Sequence, residues 1–154
     1  MVKSANRQDP TDVREALRNA GLQVTAQRLA VYQAVVNSPH GMADEVHQVV
    51  KNELGVISKQ AVYDALNAMV LHGILRRIQP AGSAARYEHR LENHHHLACR
   101  QCESLIDIDC AIGEAPCLVA DQDHGFIIDE AEVTYWGVCP NCQKASKQKA
   151  SKKN

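Results

Sequence analysis

The amino-acid sequence predicts an α+β protein built in two parts, and three observations carry the prediction. Four segments between residues 11 and 72 space their apolar residues at helical intervals and stop at glycine or at a Ser-Pro break. Two strand-like runs follow, 74–78 and 85–88, joined by a Pro-Ala-Gly-Ser turn. Beyond residue 94 the composition changes. Two Cys-x-x-Cys pairs, Cys99/Cys102 and Cys139/Cys142, bracket short segments of strand character.

Residues 1–10 are polar and end at Pro10, which predicts a disordered arm. Thr11 or Asp12 caps a first helix, Val13–Asn19, with Val13, Ala16 and Leu17 on one side and Gly21 as its stop. Thr25 caps a second helix, about 26–37, marked by Leu29, Tyr32 and Val36. Ser38-Pro39-His40-Gly41 breaks it. A third helix, about 43–54, turns Val46, Val49 and Val50 inward and ends at Gly55. Ser58 caps a fourth, about 59–72, whose apolar set is Val62, Leu66, Met69 and Val70. Its opposite face shows Lys59, Gln60, Tyr63, Asp64 and Asn67.

Short helices followed by a hairpin form a winged helix-turn-helix. In that module the last helix enters the DNA major groove and the hairpin touches the backbone. Short helices and a hairpin also occur in many small domains without that role. If the module binds DNA, Tyr63 suits contact with thymine methyl groups, and Lys59 and Gln60 offer donors to bases or phosphates. Arg28, Arg76, Arg77 and Arg86 are candidate phosphate contacts, each with a solvated surface charge as its bland alternative.

The expected organisation is a winged-helix unit at 1–88, a hinge at 89–94, a second unit at 95–143 and a disordered basic tail at 144–154. In the second unit, His95–Ala98, Leu105–Asp109, 125–128 and Glu132–Val138 read as strands, and 111–122 as a short helix. Charge follows this partition. Residues 1–90 carry 11 Lys/Arg against 8 Asp/Glu, net +3; residues 91–138 carry 1 against 10, net -9; residues 139–154 carry 5 Lys and no acid, net +5. No apolar run approaches membrane-spanning length and the N-terminus has no apolar signal core, so a cytoplasmic protein is expected.

In a reducing cytoplasm, six cysteines read as metal ligands and free thiols before disulfides. Four thiolates on two tight turns suit structural zinc. Redox-active pairs would need a thioredoxin-like strand-helix setting, which the sequence lacks. Cys110 and Cys117 read as free thiols, with a redox switch as the alternative. His94 and His96 alternate on a predicted strand and so share a face. With acidic Glu88 and Asp107 close in sequence they make a mixed N/O set that suits Fe(II), Mn(II), Zn(II) or Ni(II). His95 points the other way, and His47, His72, His89 and His124 read as non-ligands. A zinc hydrolase would need an open metal position and a general base, and no H-E-x-x-H pattern is present; an enzyme is not expected.

Three runs carry a family resemblance: Val24–Arg28, Ser58–Leu66 and His94–Cys102. In this order they resemble the ferric uptake regulator (Fur) superfamily over about residues 10–143. Arg86–Glu88, Asp107–Cys117 and Asp129–Gly137 look like its actinobacterial FurA/CatR-type branch, which controls catalase-peroxidase genes. The resemblance implies a homodimeric repressor with an N-terminal winged helix and a C-terminal α/β dimerisation domain. Its partner would be an AT-rich, palindromic double-stranded operator, with no membrane. It implies structural Zn(II) on Cys99, Cys102, Cys139 and Cys142, and a regulatory Fe(II) or Mn(II) on His40, Glu88, His94, His96 and Asp107. Asp107 matches the peroxide-sensing (PerR-like) pattern, in which bound Fe(II) and hydrogen peroxide oxidise a ligand histidine; by analogy that is His40 or His94. An iron, zinc or nickel homeostasis repressor is the alternative within the family. Asn93 and Ala131 stand where relatives with a further site carry ligands, so no third site is expected. Ala61 stands where the recognition helix often has Thr.

Overall fold

The computed structural model describes residues 10–80, 82–92, 94–109, 122, 124–128 and 131–151. The chain divides into two compact units between Leu91 and Glu92.

The first unit is mainly helical. Its elements are α1 (Pro10–Asn19), α2 (Ala26–Asn37), β1 (Gly41–Met42), α3 (Ala43–Leu54), α4 (Lys59–Leu71), β2 (Arg76–Ile78) and β3 (Arg86–Glu88). Local chemistry sets most of these boundaries. Thr25 accepts from Arg28 N–H at 3.2 Å and Ser58 from Ala61 N–H at 3.1 Å, so two hydroxyls satisfy donors that a helix start leaves open. Gly55 ends α3 at φ 81°, a backbone state that costs glycine little. The first helix begins earlier than expected. Pro10 opens it, so Thr11 and Asp12 lie inside rather than at the cap; a proline ring fits the first helical position because no hydrogen bond is asked of its nitrogen there.

The core gathers around α2, whose Ala30, Val31, Tyr32, Ala34 and Val35 are all buried. Leu17 of α1, Val50 of α3, and Val62, Leu66 and Met69 of α4 close on it. On α3 the inward face is Ala43, Val46, His47 and Val50, a complete i, i+3, i+4, i+7 stripe. Val49 falls off that stripe and is 43% exposed, against the expectation. His47 is buried instead and donates to the Ile57 carbonyl at 3.1 Å. The expected hairpin is present, with Arg77 opposite Tyr87. A third strand the sequence reading missed, β1, pairs antiparallel with β3 and gives the order β1-β3-β2.

The second unit contains β4 (His95–Cys99), β5 (Leu105–Ile108), β6 (Thr134–Gly137) and α5 (Pro140–Ser151). β4 is central: β5 pairs with it antiparallel, with His96 opposite Asp107, and β6 runs parallel to it, with His96 opposite Thr134. Two expectations fail here. Residues 125–128 form no strand; Phe126, Ile127 and Ile128 are exposed and pair with no strand among the described residues. The tail expected to be disordered from 144 is helical to Ser151. Pro140 starts this helix, and Ala, Gln and Lys sustain it with no glycine to interrupt. Cys110, Cys117 and the helix expected at 111–122 lie outside the described residues except for Gln122, which is in no helix or strand. So do Asn93 and residues 1–9 of the expected N-terminal arm. No helix among the described residues is long and apolar enough to cross a membrane.

Candidate metal centres

In the second unit, two tight turns bring four sulfurs together. Cys99 ends β4, Cys102 follows on the turn towards β5, and Cys139 and Cys142 flank the start of α5. Their Sγ atoms all lie within 4.8 Å of one another, and Cys102 and Cys139 are 3.7 Å apart. A tetrahedral ion with bonds of about 2.3 Å to sulfur needs ligands about 3.8 Å apart, so the cluster fits zinc with little movement. All four are free thiols.

The backbone prepares these sulfurs for charge. Cys139 N–H donates to Cys99 Sγ at 3.3 Å and Cys142 N–H to Cys139 Sγ at 3.5 Å. The Cys99 thiol is pulled down to about 6, first by the Cys139 N–H and then by those of Cys102 and Gln101. Cys102 is also lowered, chiefly by the Ser104 hydroxyl and backbone. Cys142 is pushed up to about 12 by Cys139 and then Cys102, because adjacent sulfurs cannot all carry negative charge. A divalent cation removes that conflict, which is the electrostatic form of the fit.

A second cluster in the same unit is built of imidazole and carboxylate. His94, immediately before β4, and His96 within it are fully buried, with ring centroids 4.7 Å apart. The Nε2 atoms of both approach the same oxygen, Asp107 Oδ1, at 3.5 and 3.4 Å. Their other ring nitrogens are held from behind. His94 Nδ1 lies 2.7 Å from the Glu92 carbonyl oxygen and His96 Nδ1 3.0 Å from Glu132 Oε1. Neither oxygen can donate, so each bond requires a proton on Nδ1, and in a neutral ring Nε2 is then the nitrogen able to coordinate an ion. Glu132 was not anticipated from the sequence. Only the parallel β4–β6 register brings it near His96, and no local pattern signals that. His95 points away and is buried, accepting from Val133 N–H at 3.2 Å.

The first unit has its own imidazole–carboxylate pair. His40 Nε2 lies 3.2 Å from Glu88 Oε2, and both side chains are buried. His40 adopts φ 65°, unusual for a residue with a side chain. Two bonds to β3 hold it there: His40 N–H donates to the Tyr87 carbonyl at 2.9 Å, and Arg86 donates to the His40 carbonyl at 3.0 Å. Arg76 Nε lies 3.7 Å from Glu88 Oε1, balancing the buried carboxylate.

The family model described as the ferric uptake regulator family matches residues 19–136, a span that includes the His40/Glu88 pair and the His94/His96/Asp107 cluster. The chain belongs to the ferric uptake regulator family. It is 52% identical over 132 residues to the transcriptional regulator FurA of Mycobacterium tuberculosis, covering 85% of this chain and 90% of that one. A more distant relative is the peroxide-responsive repressor PerR of Staphylococcus aureus, 28% identical over 129 residues, covering 83% of this chain and 87% of that one. Among solved structures, the Helicobacter pylori ferric uptake regulator Fur, described as having three functional metal binding sites, shares the fold at 18% identity and a TM-score of 0.68. That match covers 91% of this chain and 97% of that one. As a Fur-family member the chain is a metal-dependent transcriptional regulator and not an enzyme.

The residues considered for contact with DNA divide into two groups. Tyr63 is 38% exposed on α4. Lys59 is exposed and pairs with Asp44 at 3.0 Å, and Gln60 donates to Asp64 at 2.7 Å. Arg28 donates to the Gln23 carbonyl and Arg77 to Gln79, both at exposed positions. Arg76 and Arg86 are turned inward to Glu88 and to the His40 carbonyl. Their guanidinium groups support the imidazole–carboxylate pair, a role that no local pattern of residues signals.

Proposed function

We propose that this Fur-family regulator is a dimeric, metal-dependent repressor that senses hydrogen peroxide and controls catalase-peroxidase or other oxidative-stress genes. In this reading the first unit is a winged helix-turn-helix. α4 is its recognition helix, with Tyr63, Lys59 and Gln60 towards the bases, and the β2–β3 hairpin is its wing. Arg28 and Arg77 serve phosphates; Arg76 and Arg86, given their inward contacts, serve mainly to brace the metal ligands. The second unit pairs two copies of the chain. Two recognition helices then meet successive major grooves of a palindromic operator.

Cys99, Cys102, Cys139 and Cys142 would hold structural Zn(II), and His40, Glu88, His94, His96 and Asp107 a regulatory Fe(II) or Mn(II). The observation that carries the reading is the pair of histidines whose Nδ1 atoms are fixed from behind while both Nε2 atoms converge on one Asp107 oxygen. Such backing is the usual support of a metal-bound imidazole, and mixed nitrogen and oxygen donors suit Fe(II) and Mn(II). Ligands drawn from both units would let one ion bias the posture of the reading head, which is how occupancy becomes affinity for DNA. When bound, Fe(II) supplies the peroxide chemistry that oxidises a ligand imidazole; Mn(II) does not.

Operator-binding assays with Fe(II)- and Mn(II)-loaded protein, before and after hydrogen peroxide, test this. Loss of binding only in the iron sample is expected. Binding that survives chelation of the regulatory metal would refute metal control. Equal resistance of both samples to peroxide would favour the second reading, an iron, zinc or nickel homeostasis repressor. Membership of a family described as ferric uptake regulators gives that alternative its weight.

A further inference from the structure

The outward face of α4 presents Gln60, Tyr63, Asp64 and Asn67, all exposed, opposite the buried Val62, Leu66 and Met69. One member of that face is anomalous. A carboxylate repels phosphate, so Asp64 weakens any approach of this helix to nucleic acid. What it meets is an amide on the preceding turn: Gln60 Nε2 donates to Asp64 Oδ1 at 2.7 Å. Such a pair at i, i+4 stabilises a helix only slightly, and a neutral asparagine does the same without the repulsion. The helices α2 and α3 carry that neutral version: Gln33 donates to Asn37 at 3.0 Å and Gln48 to Asn52 at 3.2 Å. Helix stability therefore does not account for the charge.

An asparagine can donate or accept, so a glutamine facing it can turn its amide either way round. An ionised aspartate only accepts, so it holds Nε2 towards itself. One N–H of Gln60 is thus committed to Asp64. The second N–H and Oε1 are left as a donor–acceptor fork of set orientation. In the major groove adenine presents the matching pattern, N7 as acceptor and N6–H as donor, and glutamine pairs with it through both. Guanine offers two acceptors, cytosine one donor and thymine one acceptor, so none of them meets both arms of the fork. Tyr63, on the same face and three residues on, suits a thymine methyl group, so both side chains call for A·T pairs.

We infer that Gln60 reads adenine and that Asp64 is the positioning residue that sets its amide for that base. The inference rests on α4 being the recognition helix of a DNA-binding regulator. Asp64 gives up some general affinity for DNA, and in return the face it lies on distinguishes one base from the others.

The test starts with full-length, metal-loaded wild type and a randomised duplex pool, from which bound sequences are recovered. Fluorescence anisotropy then compares the recovered palindromic duplex with versions in which one A·T pair per half-site is changed to G·C. Gln60→Ala should cut the preference for A·T at one position of each half-site by about 5- to 150-fold and leave the other positions alone. Asp64→Asn keeps an i, i+4 bond but no longer dictates the orientation of the amide. With both orientations equally populated the competent fraction halves. The preference at that same position should then fall about 2-fold per half-site and about 4-fold for the palindrome. Affinity of Asp64→Asn for a scrambled duplex should rise, because one negative charge leaves the face, and its thermal melt should match the wild type. A uniform rise on every duplex with the A·T preference unchanged overturns the positioning role. Loss of a cytosine preference in Asp64→Asn also overturns it, by showing that the carboxylate itself reads a base. Gln60→Ala that keeps every preference overturns the adenine assignment. A wild type that enriches no sequence from the pool refutes operator recognition itself, and the inference with it.

Discussion

Replacing Glu132 by Ala isolates the support of the buried histidines from the ligands themselves. The carboxylate accepts from His96 Nδ1 at 3.0 Å, and Thr134 Oγ1 donates to the same oxygen at 3.4 Å. Removing it leaves Nε2, the proposed coordinating atom, in place but releases the ring to change tautomer and to rotate. Loss of such a backing group typically weakens metal binding about 10–100-fold. The Glu132 side chain is 30% exposed, so water can take over part of its role. The lower end is therefore expected, about 10-fold or about 1.4 kcal/mol. Calorimetric titration of zinc-replete protein with Mn(II) measures it. Glu132→Gln keeps an acceptor oxygen and should lose less, and zinc content should not change in either variant. Mn(II) affinity equal to the wild type in Glu132→Ala, with His96→Ala abolishing binding, would refute the tautomer argument.

Three further outcomes follow from the packing and the sulfur cluster. Leu66→Ala empties a fully buried position at the meeting of α4 with α2 and should cost about 2–5 kcal/mol in urea unfolding of the first unit. Ser58→Ala removes the acceptor for Ala61 N–H and should lower stability by about 0.5–2 kcal/mol, with Ser58→Asp recovering most of it; thermal melts read both. Cys142→Ser should abolish stoichiometric zinc by elemental analysis and lower the melting temperature of the second unit, because a structural ion contributes folding free energy directly. A zinc-free Cys142→Ser protein that melts like the wild type would show the cluster to be dispensable for the fold.

How legible the structure was in the sequence depends on whether the signal was local. α2, α3 and α4 were legible because Thr25, Ser58 and Gly55 act on their own neighbours. The Cys-x-x-Cys pairs were legible for the same reason: each places two sulfurs on a single turn. What failed depended on distant partners or on context. The strand β1 is two residues long and exists only because β3 accepts it. Phe126–Ile128 have the composition of a strand but nothing to pair with among the described residues. α5 looked disordered because polar, lysine-rich sequence usually cannot bury enough apolar surface, and here helix propensity and a proline start suffice. Arg76, Arg86 and Glu132 took their positions around the histidines from sheet register, which single-residue chemistry does not reveal.

The centre strand of the second sheet has a consequence for how damage spreads. β4 carries an imidazole at His96 and a thiol at Cys99, three residues apart, or about 10 Å along one stiff rod. Soft and hard donors therefore share a single spine, with nitrogen near its start and sulfur at its end. Disturbing the cysteine end of the strand would therefore also disturb the backbone that holds His96, which makes the sulfur cluster a footing for the imidazole cluster.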